Sequence, residues 1–482
     1  MPIQDRSDPV RLPPGHSLLA RLDPVLMRQT AAALASRPGE YGDLFVEEVR
    51  HGEVSRRRGR SGPAVVGGWA GVAARRIEPR GGVRHSSAAG VDEATIGALP
   101  RRLRGEGAGR RSAPAPEPRS IPCDPHLLDS LAGYLEEVEA ETLRALGEGS
   151  ASSHLDAGVF FSARAQARSQ MVAVATSEGD LAEEMRDWSA FSVTLAVEHR
   201  GDPALEVAQA GGARGPDRLR ALHAPSDIAR RLVEAWRETS SAASPPSGET
   251  AVILAPGAGG ILFHEACGHA LEGDRALRDR SALASLVGEV VGPRDLTLVD
   301  DPTLDGLPGS RRFDDEGWPT ARIVLIEAGR VAGLLLDRAT ALRAGTAPTG
   351  SARRESYRDL PLPRMTNTFV TEATRDPAEI VASVAKGIYV EELGAGRVDT
   401  ATADFTFRVR RASLVAGGRR VAPLRPCIVS GNGLRALAGI RMIGADLRFD
   451  AGAGECGKEG QRARTSVGQP TILIDGLWVR PA

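Results

Sequence analysis

Lysine is almost absent from this chain. Of 61 basic residues only Lys386 and Lys458 are lysine, and the rest are arginine. Such a skew reads as a base-composition effect that puts Arg wherever it serves as well. The two survivors then mark candidate positions where a compact ammonium is preferred to a planar fork. Aromatic residues are also scarce, at 4%, and none occurs in the Arg- and Pro-rich stretch 101–122. Without rings to stack bases, that stretch is expected to be a surface linker or insertion, not an RNA-binding patch. The net charge of −1 leaves no whole-molecule field for nucleic acid or an anionic membrane. Cysteine numbers four (Cys123, Cys267, Cys427 and Cys456) with no CxxC pair, which excludes a disulfide scaffold. No run of about 18 apolar residues occurs, so a transmembrane helix is not expected. The opening MPIQDRSDPVRLPPGHSLL carries Asp, Pro and His where a secretory signal needs an apolar run, and a cytoplasmic protein is expected.

The remainder is that of an ordinary globular chain, with 41% hydrophobic and 26% charged residues over 482 positions. This is enough for two or three domains with sizeable cores. Helices are expected at about 15–36, 125–147 and in PSDIARRLVEAWRETSS, the last capped by Ser226 or Asp227. DLFVEEVRHGEVSRRRG and GWAGVAARRIEP read as strands. Residues 155–210 read as an antiparallel meander broken at SEGD and RGD. The polar SSAASPPSGE at 240–249 suggests a boundary between a domain at 1–245 and another at 246–482. Beyond it, AVILAP, ARIVLIEAGRVAGLLLD, FTFRVRRASLVAGGRRV and PTILIDGLWV alternate with glycine turns, and one further helix is expected at about 376–387. The fold class is α+β: an N-terminal helix and antiparallel-sheet domain, then a strand-rich, barrel-like domain carrying a motif-bearing helix.

That motif is His264–Glu265–x–x–x–His269. In the common zinc-peptidase spacing HExxH, residues i and i+4 share one helical face and Glu activates water. Here the second histidine comes one residue late, and on an ideal helix i and i+5 point roughly 140° apart. A π-bulge would bring the rings back together, and Gly268 makes such distortion cheaper. No histidine follows His269, so a third ligand must be Cys, Asp or Glu. Candidates are Glu272 and Asp274 nearby, and Cys456 in a glycine-dense loop, where Lys458 would favour the thiolate. Cys267 suits packing better, and Cys427 and Cys123 are expected to be structural. Two imidazoles and a thiolate leave a fourth position for water, as a catalytic zinc requires.

HEACGHALEGD (264–274), DDEGWP (314–319), PTGSARRESYRDLPLPRMTNT (348–368), GIYVEEL (387–393), SGNG (430–433) and GECGKEGQ…VGQPT (454–471) together resemble the TldD/PmbA peptidase family, in its metal-binding TldD branch. The resemblance implies that His264, His269 and Cys456 hold Zn2+, with Glu265 as catalytic acid/base. It also implies a heterodimer with a PmbA-type subunit lacking the metal motif, a homodimer being the alternative, and short or unfolded peptides as substrates, in degradation or leader removal. Lys458, Arg353, Arg354, Tyr357, Arg364, Thr366 and Asn367 lie in the matching stretches. Of these Lys458, Arg364 and Asn367 are candidate substrate-binding residues, and MTNT is a candidate strand for pairing with substrate backbone. Two alternatives remain open: a non-catalytic, zinc-retaining peptide-binding subunit, and a zinc hydrolase of non-peptide amides.

Overall fold

The computed structural model describes residues 17–104, 125–147, 158–199, 202–278, 281–450 and 454–482. Most of the 101–122 stretch, and Cys123, therefore lie outside the described residues.

The N-terminal half is one antiparallel sheet. Its strands are β1 (Tyr41–Arg57), β2 (Val65–Ile77), β3 (Val83–Ala89), β4 (Val159–Thr176), β5 (Leu181–His199) and β6 (Asp202–Ala213), in the order β3-β2-β1-β4-β5-β6. The strand alternation expected over 155–210 matches β4 to β6, with SEGD turning β4 into β5. Helices α1 (Pro24–Leu34) and α2 (Glu93–Arg104) cover one end of a face, burying Met27, Leu34, Ile96 and Leu99 against Leu44, Val46 and Val72. Helix α3 (Pro125–Gly147) has the bounds that its periodicity implies. It presents Leu128, Leu131, Leu135 and Val138 at helical spacing to Phe161, Ala163 and Val193. Helix α1 is shorter than expected, because Asp23 caps it and Pro24 occupies its first turn. Helix α4 (Pro225–Ser240) also begins on a proline. Ala224 takes the cap position without a side-chain bond, so neither Ser226 nor Asp227 caps it.

β1 is buried continuously from Tyr41 to Val49, with no alternation. The reason is that both faces are covered. While Leu44 and Val46 face the helices, Phe45 turns the other way and joins Val172, Val174, Phe313 and Tyr357. Phe313 and Tyr357 come from the C-terminal half, so the two halves share this core. A Cβ on Gly71 of β2 would overlap the Tyr357 ring, so that approach needs glycine.

The C-terminal half closes a five-stranded barrel. Its strands are β7 (Gly248–Leu254), β10 (Lys386–Val398), β11 (Asp404–Ala416), β12 (Cys427–Asn432) and β16 (Ile472–Pro481), paired β10-β7-β16-β12-β11 and back to β10. Closure removes exposed edges. Phe405, Phe407 and Val409 alternate into its core. Beside it lies a smaller sheet containing β8 (Leu298–Asp300), β9 (Asn367–Val370) and β15 (Ser466–Gln469). A separate hairpin pairs β13 (Glu455–Lys458) with β14 (Gln461–Arg464). The helix expected at 376–387 stops at Ala382, and Lys386 already opens β10. β9 carries the end of MTNT, but β8 and β15 occupy both its edges. No backbone edge is left there for a peptide, which corrects the strand-addition expectation.

Candidate metal centre

β7 leads into a turn fastened by Gln469 of β15. Its backbone carbonyl and side-chain oxygen accept from the Gly257 and Gly259 amides at 2.9 and 3.1 Å. A single α-turn, Gly260–Phe263, follows, and then the chain widens to a π-helix over His264–Gly268. The His269 N–H bonds to the His264 carbonyl, five residues back. That extra residue offsets the 140° error of an i,i+5 pair, and the two rings meet edge to face with centroids 5.1 Å apart. Leu262, Phe263, Ala266, Cys267, Ala270 and Leu271 face the barrel core on the other side. Gly268 has an ordinary helical φ of −58°, so its role is not backbone freedom. A Cβ there would overlap the Met365 sulfur, and close packing is what requires glycine.

Cys456 arrives from β13, not from a free loop. Its sulfur lies 3.3 Å from His269 Nε2, bridging 187 positions of sequence. His264, His269 and Cys456 are all buried, with donor atoms within 4.8 Å of one another. Among the described residues this is the one such group of His, Cys, Asp or Glu. Burial pushes the Cys456 thiol up, but hydrogen bonds and charge from His264 and His269 outweigh it and take the pKa down to about 4. Lys458, expected to perform that task, is occupied elsewhere. Its ammonium meets Glu272 at 2.9 Å, Asp274 at 2.6 Å and the Pro363 carbonyl at 2.8 Å.

Glu272 and Asp274 are thus not drawn into the donor group. Glu272 stands behind it, with Oε2 3.0 Å from His269 Nδ1. A carboxylate there favours the tautomer that donates from Nδ1 and leaves the Nε2 lone pair facing the sulfur. Burial raises Glu272, yet His269 and Lys458 outweigh it and hold its pKa at about 2. For His269, burial acts downward, while Glu272 and Cys456 lift the pKa well above the usual histidine value. Two anions facing one imidazole favour a cation between them, and a dication more than a proton. His264 Nδ1 is buried and has no hydrogen-bond partner among the described residues. By donor chemistry, burial and charge, the three residues fit zinc. Glu265 carries its carboxylate to 3.9 Å from His269 Nε2 and, with a side chain 32% exposed, reaches solvent beside the buried donor group.

The remaining candidates brace the centre. Arg364 is fully buried and donates to the Gln461 carbonyl at 3.1 Å and to the Cys456 carbonyl, holding the hairpin. Arg353 spans the Met365 and Arg464 carbonyls. Asn367 is buried among Asp301, Gly309, Ser310 and Ser466, and Thr366 binds Asp300. Lys458, Arg364 and Asn367 therefore spend their polar atoms inside the protein, which argues for support and not for substrate contact. Arg354 and Tyr357 belong to the seam between the halves, bonded to Asp315 and Glu47. Burial pushes Cys267 up to about 12 and Cys427 up to about 11, as befits inert core thiols. Gln469 and Met365 escaped sequence reading, since neither residue type announces a supporting role. Glu272 was visible at i+3 from His269, though only as a candidate ligand.

Comparison with known proteins follows the same lines. Residues 247–480 match the family model of the PmbA/TldA metallopeptidase C-terminal domain. A metalloprotease TldD homologue of Buchnera aphidicola subsp. Schizaphis graminum is 35% identical over 316 residues, 64% of this chain and 65% of that protein. A zinc metalloprotease TldD homologue of Saccharolobus solfataricus is 31% identical over 303 residues, 62% of this chain and 66% of that one. The match spans between 47% and 66% of the length of these and other curated relatives. The crystal structure of TldE from Thermococcus kodakarensis superposes with a TM-score of 0.72 at 17% identity, covering 96% of this chain and all of that one. At that identity the likeness concerns the fold.

Proposed function

The chain belongs to the TldD/PmbA family, and from that premise we propose that it is a zinc-dependent peptidase acting on short or unfolded peptides. The observation that carries the reading is the buried group of His264, His269 and Cys456 with the partly exposed Glu265 beside it. His264, His269 and Cys456 would hold the ion. When bound, zinc supplies Lewis acidity, which polarises a carbonyl and makes water acidic enough to react near neutral pH. Glu265 accepts the proton of the attacking water and returns it to the leaving amine. Its partial exposure suits this task, because a base must reach both the nucleophile and the bond being cut. Glu272 and Lys458 keep the His269 ring oriented, and Arg364 keeps the Cys456 strand in place.

On this reading residues 246–482 form the catalytic domain, with residues 1–245 as the second domain. A PmbA-type partner subunit is proposed from the family resemblance, and the chain shares the fold of TldE from Thermococcus kodakarensis. A homodimer remains the competing arrangement, and peptide maturation and degradation both suit the chemistry. A purely structural zinc site has four protein ligands and needs no base, so the three-donor group with Glu265 speaks against a non-catalytic scaffold. Hydrolysis of peptides against small amides separates the amide-hydrolase alternative.

Elemental analysis of the wild type and of Cys456→Ser tests the assignment. About one zinc per chain, lost or strongly weakened in the variant, is the expected result. Equal zinc in both proteins would remove Cys456 from the site. Absence of zinc from the wild type, also after addition of a PmbA-type subunit, would overturn the proposal.

A further inference from the structure

On the reverse of the hairpin β13–β14 lies a cleft of about 70 Å³, bounded by β4, β5 and the 307–311 turn. Eight arginines line it, against three carboxylates: Asp187, Asp315 and Glu355. Two of those carboxylates are engaged, Asp315 with Arg186 at 2.6 Å and Glu355 with the Arg462 amide at 2.8 Å. Arg353, 2% exposed, reaches only carbonyls through its Nη atoms, and its Nε has no acceptor among the described residues. Arg464 has its one carboxylate, Glu455, 3.8 Å from Nη2, and its Nε and Nη1 are buried without acceptors. The Nε atoms of Arg168 and Arg354 are in the same condition. Burial and the neighbouring Arg186 pull Arg311 down to about 10.

Arginines with unpaired guanidinium donors, lining a cleft where they outnumber carboxylates, call for an anion with several lone pairs, which the planar fork matches in oxyanions. The cleft has room for a carboxylate or phosphate group. We propose that this cleft binds a small oxyanion, a carboxylate or a phosphate, gripped by Arg353, Arg464 and Arg311 behind the strand that presents Cys456. Ala463, which lines the cleft, is the register partner of Cys456. Arg462 and Arg464 alternate to the opposite face of the hairpin. The occupant is thus separated from the metal centre by one hairpin, and braces it without touching the donor group. Nothing in the peptidase reading requires this site, and its test reads binding, not hydrolysis.

The test titrates the full chain with inorganic phosphate at constant ionic strength, chloride being the balancing ion, and follows heat and the unfolding midpoint. Saturable binding is expected in the wild type, about tenfold weaker in Arg464→Gln, from the loss of one charge-assisted contact. Arg462→Gln, at an exposed position, guards against misfolding of the first variant and should also weaken binding. No saturable phosphate effect, or one unchanged in both variants, overturns the proposal. Two matched tripeptides, one ending in a carboxylate and one in a carboxamide, distinguish the sources. Phosphate competing with the carboxylate peptide alone assigns the site to a peptide end. Saturable phosphate binding with no such competition assigns it to a free oxyanion.

Discussion

Glu272 in the metal centre and Glu316 in the seam between the halves are both fully buried beside a cation, yet their acidities move in opposite directions. Glu272 meets Lys458 at 2.9 Å and His269 at 3.0 Å, and its pKa is held at about 2. Glu316 meets Arg75 at 2.6 Å, but Arg75 is shared with Asp43, and Asp337 lies near as well. Burial, only partly offset by Arg75, pushes Glu316 up to about 7. The lesson is that a buried carboxylate is governed by how many cations it commands, not by whether one touches it. In the metal centre Glu272 draws on two cations, His269 and Lys458, while Cys456 is lowered by the two histidines. In the seam the charges balance only collectively, and the motif DDEGWP serves to lock the halves together. Asp314 accepts from the Glu316, Trp318 and Ala352 amides, and Asp315 takes Arg186.

The sharpest way to separate the two regions is Glu265→Gln, which touches chemistry and leaves the seam intact. Hydrolysis should fall by about 10²–10⁴-fold while zinc content and thermal stability stay at wild-type values. Retained hydrolysis would assign the base elsewhere. Arg75→Met attacks the seam instead. Arg75 is 1% exposed, and its loss strands the Asp43 and Glu316 carboxylates, so urea unfolding should show a loss of about 3–5 kcal/mol. A loss below about 1 kcal/mol, the range of a surface pair, would mean that the seam does not depend on this charge.

A smaller effect is expected from Gly268→Ala, which forces a methyl group towards Met365. Overpacking should cost about 1–3 kcal/mol, and Met365→Ala in the same chain should return part of it. Equal loss in single and double variants would show that glycine is needed for another reason. The smallest effect concerns pH. Because the folded pKa of Glu316 lies above its ordinary 4.5, the native state holds more protons than the unfolded chain between about 4.5 and 7. The stability tied to that proton is present below pH 4.5 and is lost as pH rises through 7. Glu316→Gln, neutral throughout, should therefore flatten this part of the stability–pH curve, measured by thermal unfolding. Identical slopes in the two proteins would place the titration on another group.

Much of the fold was legible because local patterns carry it. Leucines at helical spacing predict α3 at its observed bounds, and strand alternation predicts β4 and β5. The start of α1 failed where Pro24 and its Asp23 cap competed with periodicity, whereas α4 kept its expected bounds and only its cap assignment failed. The one-residue excess in His264–x4–His269 likewise calls for a π-turn before any coordinate is known, since side-chain direction along a helix is set by backbone hydrogen bonds a few residues apart. The same near-neighbour logic made Glu265 visible.

Tertiary structure alone decided the rest. Only the crossing of β13 over the motif brings Cys456 to His269 across 187 positions. It also turns Glu272 from a candidate ligand into the partner of His269, and gives Lys458 three acceptors that suit a compact ammonium. Lys386, the other surviving lysine, is exposed and shows no such demand. The eight arginines of the cleft are scattered from Arg168 to Arg464 and share no spacing. A sequence specifies direction within an element through short hydrogen-bonded repeats, whereas the distance between elements is set by how their covered faces pack. Charge acts across those distances, so the acidity of Cys456, Glu272 and Glu316 belongs to the folded protein and not to the motifs that contain them.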